Sequence, residues 1–234
     1  MKDDERGSDS SHCSTAVQPS TLPKPYYDFG GITLYHADAL EVVPLLSFDL
    51  MLTDPPYGIA LSNHAKGKER SNRDWTIAND DTQEVGQAVL DLWDGPTVAF
   101  ASPMKPWPGK WRQHLVWEKG EHVSGGGDPA TCWKPSFELI QVRNNKPLDG
   151  RRDGAVLRFQ AVKTDYTFHP SPKPVSLLEY LICKTKPQRV CDPFSGGGST
   201  LVAAKRCGVQ AVGVEIEERH CETIANRLAQ GVLF

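Results

Sequence analysis

Residues Arg189 to Glu215, RVCDPFSGGGSTLVAAKRCGVQAVGVE, carry the plainest structural pattern in the chain. Arg189-Val190-Cys191 is a short strand, and Asp192-Pro193 ends it because proline cannot continue a ladder. Gly196, Gly197 and Gly198 make the turn, and a helix over Leu201 to Cys207 follows, closed by Gly208 as its C-terminal cap. Ala211 to Glu215 is a second strand with an acidic end. Strand, glycine turn, helix and strand in this order make one βαβ unit of a parallel sheet.

Working outward, Gly31 to His36 alternates and reads as a strand, as does Phe48 to Thr53. The second runs into Asp54-Pro55-Pro56-Tyr57-Gly58, where two prolines force the chain out of the sheet. Residues 59 to 80 are polar, without periodicity, and read as a loop. Thr82 to Trp93 has Val85, Val89 and Leu92 at helical spacing and stops at Asp94-Gly95-Pro96. Thr97 to Ala101, Leu115 to Trp117 and Phe137 to Val142 are further strands. Arg143 to His169 is basic and irregular. Pro174, at a first helical position, begins a helix through about Cys183, and Glu217 to Leu228 is the last helix. The chain contains no internal repeats.

A glycine run between strand and helix lets the backbone approach a ligand, with helix N-terminal amides aimed at it. Glu215, at the end of the next strand, is placed to accept from both hydroxyls of a ribose. Such turns also serve simple helix–strand packing, so the acidic strand end is what favours a nucleotide-type cofactor. Asp192 narrows the choice. A carboxylate opening the loop would repel a pyrophosphate but suits an ammonium group. Adenosine at one end and a cationic amino acid at the other describe S-adenosyl-methionine. A nicotinamide-dependent oxidoreductase, the rival reading, is opposed by Asp192.

The Asp-Pro-Pro-Tyr turn offers a carboxylate, a rigid carbonyl on Pro55 and the aromatic face of Tyr57 just beyond a strand end, where open α/β sheets bind ligands. A planar base stacked on Tyr57 could donate from an exocyclic amine to both oxygens. Taken alone, a proline-stiffened turn with a capping aspartate would serve as well.

Together these segments resemble a known family. Thr53-Asp54-Pro55-Pro56-Tyr57-Gly58 and Asp192-Pro193-Phe194-Ser195-Gly196-Gly197-Gly198-Ser199-Thr200 are similar to the catalytic and cofactor motifs of the DNA amino-methyltransferases, which methylate adenine N6 or cytosine N4. His169-Pro170-Ser171-Pro172-Lys173-Pro174 resembles the segment ahead of the cofactor strand, and Gly213-Val214-Glu215 through Leu228 the usual ending. The catalytic turn precedes the cofactor loop, as in the permuted beta group. The resemblance implies a Rossmann-like α/β fold, a mostly parallel twisted sheet with helices on both faces and circularly permuted motif order. It implies catalytic roles for Asp54, Pro55, Pro56 and Tyr57. Asp192, Phe194, Ser195, Gly196, Gly198, Ser199, Thr200 and Lys173 would hold the methionine end of the cofactor, Glu215 its ribose and Asp38 its adenine. No metal is implied. The expected substrate is an amine of a base flipped out of duplex DNA, adenine N6 favoured because the turn opens with Asp where cytosine enzymes more often carry Ser. Cytosine N4 is the alternative, and a silent binding module a weaker one.

Charge at first argues against DNA: 26 basic against 29 acidic residues give a net charge of -3, whereas nucleic-acid-binding domains are typically basic. Its distribution argues otherwise. From Lys134 to Lys173 eight basic residues face four acidic ones, a local +4. Lys66, Lys68, Arg70 and Arg73 follow the catalytic turn, and Arg143, Arg151, Arg152 and Arg158 lie in the longer basic span; all eight are candidate double-stranded-DNA contacts. Residues 1 to 22 read as a disordered polar tail without a secretory signal, and residues 23 to 234 as one catalytic domain with a small recognition insert at about 119 to 168. No apolar run approaches the roughly 18 residues of a membrane span. The six cysteines lack metal-site spacing and read as reduced thiols of a cytoplasmic protein; the family resemblance implies a bacterial or phage-encoded enzyme, and monomer and homodimer both stay open.

Overall fold

The computed structural model describes residues 21–59, 78, 80–120, 130, 133–143, 147–162 and 172–230. Among the described residues nine strands form one sheet: β1 (Tyr27–Phe29), β2 (Ile32–His36), β3 (Leu50–Thr53), β4 (Thr97–Ala101), β5 (Gln113–Glu118), β6 (Phe137–Arg143), β7 (Val156–Arg158), β8 (Arg189–Asp192) and β9 (Gln210–Glu215). Their order is β1-β2-β9-β8-β3-β4-β6-β5-β7. Five central strands, β2, β9, β8, β3 and β4, run parallel, and β6 enters antiparallel to both β4 and β5. The chain reaches β3 and β4 before β8 and β9, so the half carrying Asp54 precedes the half carrying the glycine turn.

Strand alternation assigns the helices to faces. Leu50 and Leu52 of β3 pack with Leu177, Leu181, Leu201 and Ile224, which belong to α3 (Val175–Thr185), α4 (Ser199–Arg206) and α5 (Glu218–Ala229). Met51, between them, points the other way, into Val42, Val89 and Leu90 of α1 (Ala39–Val42) and α2 (Glu84–Asp91). A strand covered on both faces has no polar side to show water, which is why these strands read as continuous apolar runs. The doubly covered, mostly parallel sheet is as expected.

Four short elements among the described residues were not legible: β1, α1, the 3-10 turn Val43–Leu45 and β7. Each is three or four residues long, too short for a periodic signal, and β7 forms because Val116 to Glu118 offers it a parallel edge. The face of α2 differs from the expected one. Gly86, Val89 and Leu90 are buried, whereas Leu92 is exposed, because the helix ends at Asp91 and Leu92 is its cap. α4 starts at Ser199, earlier than Leu201, since Gly198 takes the N-cap position with φ 77°. Pro174 is likewise the N-cap of α3, extended at ψ 126°, and the helix proper begins at Val175.

Candidate active site

β8 leads through α4 to β9 on one side, and β3 leads through α2 to β4 on the other, so the direction of winding reverses between β8 and β3. Crevices form at the carboxyl ends of strands at such a switch point. Both sequence motifs end there. Thr53, the last residue of β3, donates from its hydroxyl to Asp192 Oδ1 at 2.8 Å, tying the strand ends together across 139 residues. Phe194 N donates to the same oxygen at 3.3 Å. Asp192 is buried, and its carboxyl is pushed up to about 6 by desolvation, against hydrogen bonds from Thr200, Thr53 and Phe194.

The glycine turn folds against Glu215. Ser195 N donates to Val214 O at 3.0 Å, and Gly196 N to Glu215 Oε2 at 2.7 Å. The other Glu215 oxygen takes Glu217 N at 2.9 Å. Gly198 has φ +77°, and a Cβ there would lie 2.8 Å from Ile224 of α5, so only glycine fits. Ser199 and Thr200 open α4, both buried. Asp38 caps α1 by accepting from Leu40 N at 2.9 Å. Because β2 pairs with β9 so that His36 faces Glu215, Asp38 sits beside the acidic strand end. The structure therefore collects Asp38, Asp192, Glu215 and the glycine turn along the carboxyl ends of three adjacent strands. The donor chemistry fits the expected cofactor: one buried carboxylate by the turn for an ammonium, one at the strand end for a diol. Glu215, Glu217 and His220 also bring ligand-type atoms within 4.8 Å of one another; each Glu215 oxygen there accepts one backbone amide, which leaves a further lone pair on each.

At the catalytic turn the contacts differ from the expected division of labour. Asp54 Oδ1 accepts from the Tyr57 hydroxyl at 2.6 Å, and Oδ2 is paired with Lys173. Lys173, assigned by resemblance to the methionine end of the cofactor, is thus held at the turn, its ammonium 5.1 Å from the Phe100 ring and 5.6 Å from that of Tyr57. Glu138 of β6, which sequence reasoning did not single out, lies 3.3 Å from Lys173 and 3.2 Å from the Tyr57 hydroxyl. Lys119, one residue past β5, holds its other oxygen at 2.5 Å. Burial pushes the Asp54 carboxyl up, opposed by Lys173 and reinforced by Glu138. Glu138, although buried, is held low because two lysines face it. Burial and both carboxylates lift the Tyr57 hydroxyl well above its ordinary value. Two acids and two lysines close a neutral, largely buried network around the turn.

The turn is braced from behind. Gly58 N donates to Asp80 at 2.9 Å, and Lys105 reaches the Gly58 carbonyl. Pro55 is buried, close behind Gly86 of α2 and the fully buried Trp107. Among the candidate DNA contacts, Lys66, Lys68, Arg70 and Arg73 lie outside the described residues. Arg151 and Arg152 are exposed, and Arg158 pairs with Glu118 at 2.9 Å. Arg143 does not match the expectation: its guanidinium donates to the carbonyls of Leu90 and Trp93, both at 2.6 Å, and lies 5.3 Å from the Trp111 ring. It clamps the end of α2 instead of reaching outward.

Comparison with known proteins places the chain among relatives by sequence and by fold. Over 251 residues, covering 88% of this chain and 93% of the relative, the sequence is 37% identical to the type II methyltransferase M2.DpnII of Streptococcus pneumoniae. The fold is similar to that of the M1.HpyAVI complex with SAM (TM-score 0.59, 21% identity, 84% of this chain and 99% of that one). It is also similar to the cytosine-N4-specific PvuII DNA methyltransferase (TM-score 0.65, 14% identity, 90% and 91%). The N6/N4 methyltransferase family model, described as DNA methylase, matches residues 68–227. The chain belongs to the N6/N4 DNA methylase family.

Proposed function

We propose that this DNA methyltransferase transfers a methyl group from S-adenosyl-methionine to the exocyclic amine of a flipped base in double-stranded DNA, adenine N6, with Asp54 and the Pro55 carbonyl receiving the amine. The observation that carries the reading is the convergence of Asp54, Asp192 and the glycine turn at one switch point, where Thr53 links the two motifs. The cofactor, when bound, supplies an electrophilic methyl on a sulfonium, so the nitrogen lone pair forms the N–C bond as the C–S pair leaves with sulfur. Asp192 would hold its ammonium, Glu215 its ribose and Asp38 its adenine, with Phe194, Ser195, Gly196, Gly198, Ser199 and Thr200 shaping the turn around it.

The protein's task is positioning and charge. The lone pair of an aromatic amine is delocalised, and two acceptors, Asp54 and the rigid Pro55 carbonyl, favour a pyramidal nitrogen and stabilise the positive charge that grows on it. The methylated amine is acidic enough to lose its proton to Asp54 and thence to water, so the carboxylate need not be a strong base. Tyr57 offers a face for the flipped base, whose amine is out of reach inside a duplex. The basic span containing Arg151 and Arg152 suits phosphate contacts. Adenine is favoured because the turn opens with Asp54. The fold itself is compatible with either base, as its likeness to a cytosine-N4-specific enzyme illustrates.

Asp54→Ala is the test. Transfer of tritiated methyl from the cofactor to mixed-sequence duplex DNA should fall by at least about 100-fold, with cofactor binding in calorimetry retained. Undiminished transfer would remove Asp54 from the mechanism.

A further inference from the structure

Both oxygens of Asp54 already have a partner at the turn. The Tyr57 hydroxyl is on Oδ1 and Lys173 on Oδ2. A target amine brings one N–H donor to Asp54 and the other to the Pro55 carbonyl, so at Asp54 it competes with these two occupants for the carboxylate's lone pairs and charge. Lys173 is the difficult one: its side chain is only 5% exposed, and a buried ammonium without a partner is strongly disfavoured. Both occupants already have a second acceptor within reach, and it is the same atom. Glu138 Oε2 lies 3.3 Å from Lys173 Nζ and 3.2 Å from the Tyr57 oxygen.

We propose, resting on the reading that Asp54 receives the target amine, that Glu138 is a positioning residue of methyl transfer, the alternative acceptor that takes Lys173 and the Tyr57 hydroxyl as Asp54 turns to the base. Lys119 fixes Glu138 from its far oxygen, so the acceptor is held in place before the exchange. The exchange also changes the local charge usefully. With Lys173 on Asp54 the carboxylate is neutralised. With Lys173 passed to Glu138, Asp54 presents its full charge to the cation growing on the amine nitrogen, when that charge is worth most. Every short contact in the exchange exists already, so small side-chain rotations about a fixed backbone suffice. Lys173 stays over the Phe100 ring, 5.1 Å away, and within reach of both carboxylates.

The groups facing Asp54 are Tyr57 in its own turn, Lys173 before α3, Glu138 on β6, Lys119 after β5 and, through Thr53, Asp192 at the end of β8; Lys105 reaches the nearby Gly58 carbonyl. Glu138 and Lys119 therefore act on Asp54 with opposite signs. In Glu138→Gln the like charge is gone and Lys173 stays on Asp54, so the carboxyl releases its proton more readily. In Lys119→Met, Glu138 draws Lys173 to itself, and the Asp54 carboxyl holds its proton more firmly.

The experiment is the pH profile of single-turnover methyl transfer with the full chain, S-adenosyl-methionine and duplex DNA, both substrates saturating, for wild type, Glu138→Gln, Glu138→Asp and Lys119→Met. The acid limb should move to lower pH in Glu138→Gln and to higher pH in Lys119→Met. The Glu138→Gln plateau should fall about 10- to 100-fold, with the cofactor Kd and the KM for DNA unchanged, and Glu138→Asp should return the limb to its wild-type position. Should Glu138→Gln not fold, Lys119→Met and Glu138→Asp decide the matter by the same limb positions. Acid limbs that coincide with wild type, or that shift the same way in both charge-removing variants, overturn the proposal. Wild-type protein that transfers no methyl contradicts the methyltransferase reading itself, whereas active wild type with unmoved limbs contradicts only the role of Glu138.

Discussion

At the scale of single residues, the site places stability and function in opposition at Asp192. Burial raises its carboxyl to about 6, so folding favours the neutral form. The stability from that preference is complete below the ordinary carboxylate range and is lost as pH rises through about 6. Asp192→Asn mimics the neutral form and still accepts from Thr53. At pH 8 it should be more stable than wild type by about 2 kcal/mol, taking roughly two pKa units at 1.36 kcal/mol each with allowance for relaxation; the gap should roughly halve at pH 5 and close only below the ordinary carboxylate range. Cofactor affinity should fall roughly 10- to 100-fold, the worth of a charged hydrogen bond. Thermal melts at the two pH values and calorimetry check this, and an Asn variant less stable at pH 8 would show that Thr53 and Thr200 fully offset the burial. Asp54, Tyr57, Asp192 and Glu215 were legible because each sits in a contiguous motif whose chemistry can be read locally. Glu138 and Lys119 were not. Their contacts depend on β6 and β5 being laid beside β4 in one register, and a Glu between Phe137 and Leu139 reads as an ordinary strand residue.

At the scale of elements, the catalytic turn owes its shape to what packs behind it. Gly86 lies in α2, where helix propensity alone makes alanine better by about 1 kcal/mol. A Cβ at Gly86 would lie 2.5 Å from the Trp107 ring and 3.1 Å from Pro55. Trp107 cannot give way easily, being 2% exposed and bonded from its indole N–H to Phe100 O at 2.8 Å. Gly86→Ala should therefore destabilise by about 1–3 kcal/mol and slow methyl transfer by displacing Pro55. Urea unfolding together with the transfer assay measures both, and a stabilised, fully active variant would mean the packing is softer than these distances imply. The same contact explains why the buried face of α2 was misread. Apolar spacing pointed to Val85, Val89 and Leu92, whereas a glycine chosen for close approach carries no hydrophobic signal. The core strands and α3 to α5 were legible because a doubly covered sheet leaves long apolar runs in the sequence. β1, α1 and β7 are short edge or linking pieces defined by their partners.

At the scale of the whole molecule, the net charge of -3 is the wrong guide to the partner. The cofactor half carries buried acids, the catalytic turn is neutral by pairing, and excess basic charge is concentrated between Lys134 and Lys173. The fold brings two distant motifs to one crevice because the winding reverses between β8 and β3, and the chain order of those motifs is immaterial to the crevice. No helix among the described residues is long and apolar enough to cross a membrane. Methyl transfer to an exocyclic amine at that crevice leaves a chemical mark that nucleoside analysis reads. Duplex DNA incubated with the protein and methyl-labelled S-adenosyl-methionine, then digested to nucleosides, should yield label in N6-methyladenine. Label confined to N4-methylcytosine would contradict adenine as the target base, and DNA of mixed sequence left without label would contradict methyl transfer by this protein.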